Sequence, residues 1–136
     1  MIGLQTSRIT SSKTSNVYGV DFFPNLTSSN SSPIYVDSVQ YSYYVGPLSD
    51  GAYTYSWGSV SDVLDLIVNG ISLRSYKVKG LFNPVTVTVD FHRKIDQLIP
   101  INTAFFFRSR FGLVNMGPQG APFIMDLSRC YVFYGV

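Results

Sequence analysis

Residues 84 to 91 read Pro-Val-Thr-Val-Thr-Val-Asp-Phe, and apolar and polar side chains alternate along them without a break from Val85 onward. A period of two is the mark of a half-buried strand, so Val85, Val87, Val89 and Phe91 are predicted on one face and Thr86, Thr88 and Asp90 on the other. Runs of the same character recur. VYGVDFF at 17–23 and IYVDSVQYSYYV at 34–45 come earlier, the second long enough to bend or bulge. AYTYSW at 52–57 follows the turn residues Gly46-Pro47 and Ser49-Asp50-Gly51 and sets Tyr53, Tyr55 and Trp57 on one face. SLRSYKV at 72–78, KIDQLIPI at 94–101, AFFFRSRFGLV at 104–114 and CYVFYG at 130–135 complete the set. Lys79-Gly80, Asn83-Pro84, Pro100 to Thr103 and Gly117 to Pro122 supply turn residues between them.

The segment SVSDVLDLIVNG at 59–70 carries two patterns. Ser59 three residues before Asp62, apolar positions 60, 63, 64, 67 and 68, and a terminal Asn69-Gly70 fit a capped helix. The same Asn-Gly between Leu66-Ile67-Val68 and Ile71-Ser72-Leu73 is a strong hairpin signal. The β-branched Ile67, Val68 and Ile71 favour the hairpin.

Eight or nine short strands at this spacing predict an all-β fold, an antiparallel β-sandwich or barrel, with a single jelly roll of about eight strands as the expected form. Residues 5–16, QTSRITSSKTSN, are basic and rich in Ser and Thr, with Ile9 as the one apolar anchor. They read as an extended arm or a terminal strand that orders against a neighbour, giving an N-terminal arm at 1–16 and one domain at 17–136. The polar stretch NLTSSNSSP at 25–33 reads as a loop, and its two formal glycosylation sequons as plain loop residues.

Composition sharpens the picture. With 136 residues the chain is one ordinary domain that can bury a core without disulfides. Charged residues make up 13%, about half the usual share, while aromatic residues reach 15%. Such a surface suits a protein held against copies or neighbours. Every acidic residue is Asp, and Ala occurs only at 52, 104 and 121, so good helix formers are scarce. A net charge of +2 is too small for counterion-release binding, and nucleic acid is not an expected partner. The N-terminus lacks the apolar run of a signal peptide, and no later run approaches the roughly 18 apolar residues of a membrane helix. Cys130 stands alone and reads as a small buried hydrophobe.

Candidate chemistry is sparse. His92 is the sole imidazole; in Asp90-Phe91-His92-Arg93-Lys94 it reads as an exposed residue at a strand end. One His and one Cys leave only Asp to ligate a metal, and Asp50, Asp62 and Asp65 read as solvated or capping rather than calcium-binding. No Asp spacing singles out a glycosidase pair. The expectation is therefore a protein that is not an enzyme and holds no cofactor or metal. Arg108 and Arg110 share a strand face opposite Phe105, Phe107 and Phe111, placed to meet a neighbour's carboxylates or a phosphate. With Arg8 and Lys13 of the arm and Tyr43 and Tyr44 of the tyrosine-rich run, they form the candidate subunit interface. The alternative reading is a carbohydrate-binding or adhesive sandwich in which Tyr53, Tyr55 and Trp57 stack on sugar rings.

The order of elements over residues 60–107 adds a resemblance. A strand ending in a polar turn, then PVTVTVDF, then DQLIPI, then the aromatic TAFFF, with DLSRCYVFYGV at the C-terminus, resembles the small jelly-roll vertex (penton) proteins of tailless icosahedral phages. The resemblance implies a structural capsid protein of the virion, at a vertex or in a minor capsid position. Its expected partners are other copies of itself, a pentamer being favoured, and neighbouring capsid proteins. It assigns no functional residue, because packing surfaces do such a protein's work.

Overall fold

The computed structural model describes residues 2–9, 20–24, 33–46, 59–86, 88–111 and 124–135. They form eight strands: β1 (Ile2–Ile9), β2 (Val20–Pro24), β3 (Ile34–Gly46), β4 (Ser59–Val68), β5 (Ile71–Asn83), β6 (Thr88–Ile99), β7 (Phe105–Ser109) and β8 (Ile124–Gly135). All pairings are antiparallel, and the sheet closes into a barrel in the order β1-β2-β7-β4-β5-β6-β3-β8. The pairing is nested. β4 lies on β5, β3 on β6, β2 on β7 and β1 on β8, as in one long hairpin folded at the β4–β5 turn. The remaining contacts, β1–β2, β4–β7, β5–β6 and β3–β8, wrap that hairpin around its own core. Two faces result, β1-β8-β3-β6 and β2-β7-β4-β5, joined at the β1–β2 and β5–β6 seams.

The ambiguous 59–70 segment resolves as the hairpin. Asn69 (φ 52°) and Gly70 (φ 78°) both take left-handed backbone, the requirement of a two-residue turn whose twist matches its strands. The amide of Asn69 donates to the carbonyl of Ala104 (3.0 Å), which ties this turn to the β6–β7 connection.

The alternating run at 84–91 is only half strand. Asn83 Oδ1 accepts from the amides of Val85 (2.9 Å) and Thr86 (3.3 Å), so Pro84 to Thr86 form the turn between β5 and β6 and Val85 stands 89% exposed. Asn-Pro turn chemistry overrides the alternation there. From Thr88 on the expectation holds, with Val89 and Phe91 buried and Asp90 exposed. KIDQLIPI is likewise not a separate strand: β6 runs into it as far as Ile99, absorbing one extra residue opposite Asp37 where Asp96 takes φ 54°. His92 accordingly sits within β6, exposed, and not at a strand end.

Gly80, predicted to turn the chain, lies inside β5. A Cβ there would come within 2.7 Å of the Phe91 ring and 2.9 Å of the Asp90 carbonyl oxygen. The position is glycine because the β6 ring packs onto β5 backbone. Of the segment 1–16 expected as an arm, residues 2–9 are β1, paired in the same chain with β2 and β8; residues 10–16 lie outside the described residues.

An aromatic cluster fills the barrel. Tyr41 and Tyr43 of β3 and Phe91 of β6 meet Phe22 of β2 and Phe111 beyond β7; Tyr41 stacks on Phe91 (4.9 Å), and Tyr43 lies 4.9 Å from Phe111. Cys130 is buried among these residues, as expected of a small hydrophobe.

Candidate functional site

The sequence places Asp62 and Asp65 three apart on one strand, and a period of two sends them to opposite faces. Asp62 points into the barrel. Its carboxylate accepts hydrogen bonds from the Tyr41 and Ser109 hydroxyls and from the Val63 amide (2.7 Å). Tyr41 belongs to one face of the barrel and Asp62 and Ser109 to the other, so this cluster pins the two faces together. Burial pushes the Asp62 carboxyl up from 3.8 to about 6, although the Ser109, Tyr41 and Val63 donors pull the other way. Burial, then the Asp62 charge, raises the Tyr41 phenol well above its usual value. Among the described residues, Tyr43 Oη, buried in the same core, has no hydrogen-bond partner within normal geometry.

Asp65 emerges on the outer face of β2-β7-β4-β5. Arg110 closes on it (Nε 2.8 Å, one NH2 group 2.7 Å), and the Ser75 hydroxyl donates to its other oxygen (2.6 Å). In the same row as Asp65, Arg108 binds Asp21 with two donors (2.7 and 3.1 Å) and lies over the Phe106 ring. Asp21, Arg108, Asp65 and Ser75 stand in register across four adjacent strands. The expected facing of Arg108 and Arg110 away from Phe107 and Phe111 is observed. Both arginines meet carboxylates of their own chain.

The other candidates divide. Tyr43 is fully buried, so it belongs to the core and not to a subunit surface; Tyr44 is 42% exposed. Both fell in a run where alternate residues must face inward, and β3 turns Tyr41 and Tyr43 in. The side chains of Arg8, Lys13, Tyr53, Tyr55 and Trp57 lie outside the described residues, as does Asp50. Asp62 and Asp65 are neither solvated nor capping, being buried within β4. Sequence reading missed this role because the partners Tyr41 and Ser109 are distant along the chain. A clue was present: Asp62 interrupts the apolar series Val60, Leu64, Leu66 on one strand face.

A second feature occupies the outer face of the β5-β6-β3-β8 portion. A cavity of about 400 Å³ is lined there by Gln40, Ser42, Leu81, Asp90, His92 and Tyr131. Among the described residues no group of three His, Cys, Asp or Glu is placed to hold a metal, and no helix is long and apolar enough to cross a membrane.

No protein-family model matches the chain, and neither the curated proteins nor the solved structures contain a significant match.

Proposed function

We propose that the chain is a structural subunit of a viral capsid, resident in the virion, that works as a closed homo-oligomer with a pentameric vertex ring as the favoured form. The observation that carries this reading is the nested strand pairing, β4 on β5, β3 on β6, β2 on β7 and β1 on β8. That winding, closed on itself, is what two Greek keys make in a jelly roll, an architecture found in viral capsid domains.

The surface supports the same reading. Arg108 and Arg110 are neutralised by Asp21 and Asp65 within the chain, while Ile71, Leu73, Leu98 and Ile101 stay exposed. Ile71 and Ile101 lie in or beside the two turns tied together by the Asn69–Ala104 bond, which groups these four at one end of the barrel, while Leu81 and Val85 stand exposed toward the other. Packing against a second copy or a neighbouring capsid protein removes them from water.

Electron microscopy of the purified protein tests the reading. Class averages are expected to show rings, five-fold in the favoured form. The variant Ile71→Asp with Leu73→Asp is expected to release single barrels with an unchanged circular dichroism spectrum. Single barrels from the unaltered protein at every concentration contradict it.

A further inference from the structure

The outer face of β6-β3-β8 carries two rows of side chains. In one, Leu81 of β5, Asp90 of β6 and Ser42 of β3 stand opposite one another; in the other, His92, Gln40 and Tyr131 do. All six line one half-open cavity of about 400 Å³, within the size range of small-ligand sites. Strand spacing sets its floor at about 10 Å across the strands and about 7 Å along them, the footprint of a mono- or disaccharide.

The chemistry of the lining selects among ligands. The Ser42 hydroxyl donates to Asp90 Oδ1 (2.5 Å), which holds the carboxylate in the cavity lining. Gln40 brings a donor and an acceptor on one planar amide, and His92 brings ring nitrogens of either kind. Both side chains are exposed. Tyr131 adds an aromatic ring, half-buried, and Leu81 an aliphatic rim that is 71% exposed. An anionic ligand meets the Asp90 carboxylate, and an aliphatic one strips water from Asp90 and Gln40 without replacing its hydrogen bonds. A pyranose has hydroxyls that donate to a carboxylate and exchange bonds with an amide, and a C–H face that packs on a tyrosine ring.

We propose that this cavity is a saccharide-binding subsite for a neutral sugar, with Asp90, Gln40 and His92 reading hydroxyls and Tyr131 packing on the ring. It uses none of Tyr53, Tyr55 and Trp57, and it does not depend on the chain forming a capsid ring.

The test is saturation-transfer NMR and calorimetry on the intact protein with a panel of neutral methyl glycosides and disaccharides of glucose, galactose, mannose and N-acetylglucosamine. At least one is expected to bind with millimolar or tighter affinity. Gln40→Ala and Asp90→Asn are each expected to weaken it by about tenfold or more in protein that stays folded by circular dichroism, and Lys77→Ala, outside the cavity lining, to leave it unchanged. Absence of binding across the panel into the tens of millimolar overturns the proposal. So does binding that survives both variants, or a sulfated disaccharide that binds more tightly than every neutral one.

Discussion

Two tyrosines of β3, Tyr41 and Tyr43, are both buried, yet their hydroxyls are in opposite situations. Tyr41 donates to a buried carboxylate, and Tyr43 Oη has no hydrogen-bond partner within normal geometry among the described residues. Removing the first hydroxyl strips a charge-assisted bond, so Tyr41→Phe is expected to cost about 1.5–3 kcal/mol, whereas Tyr43→Phe is expected to be neutral or to gain about 1 kcal/mol. Urea unfolding of the two variants checks the contrast, and equal losses contradict it. Asp62 makes stability depend on pH. Its folded-state pKa of about 6 lies above the unfolded value of 3.8, so the folded chain binds the extra proton between them. The contribution is fully present below pH 3.8 and is lost as pH rises through about 6, a decline of roughly 3 kcal/mol from this group. Asp62→Asn is expected to remove that decline from a series of urea titrations spanning the window. An unchanged slope in the variant excludes Asp62 as its source.

At the scale of elements, β5 and β6 show how local pattern and tertiary packing share control. The Asn69-Gly70 turn was legible because its residue types satisfy a backbone demand that nothing distant alters. Alternation likewise located the inward Val89 and Phe91. Val85 continued the same alternation, but Asn83 captured its amide and made a turn, a contest the period alone does not register. Glycine in isolation signals a turn, but the cause of Gly80, the Phe91 ring against β5 backbone, is a contact between strands. Gly80→Ala is therefore expected to destabilise the fold by about 1–3 kcal/mol, since the Cβ would meet a buried ring stacked on Tyr41 and a backbone carbonyl. The melting temperature measures it, and an unshifted value shows that the seam relaxes freely. The candidate sites were less legible than the strands. Asp62 needs Tyr41 and Ser109, and the outer cavity needs residues from four strands, so both exist only once the register is set.

For the whole molecule, the nested pairing has a physical consequence. A hairpin wound on itself buries both faces of its core and, in the closed barrel, leaves few strand edges to attract stray pairing. What remains exposed is side-chain surface, including paired ions on one face, a polar cavity on another, and apolar residues around the β4–β5 and β6–β7 turns, with Leu81 and Val85 near the β5–β6 turn. In the proposed capsid ring, the apolar residues at the β4–β5 and β6–β7 turns meet other copies. Its most direct test is the mass of the purified protein by light scattering, at two concentrations and two salt levels. The account expects one discrete closed species at a multiple of 15.2 kDa, five-fold in the favoured form, that persists at the higher salt because its contacts are apolar. A species of 15.2 kDa under all four conditions contradicts it.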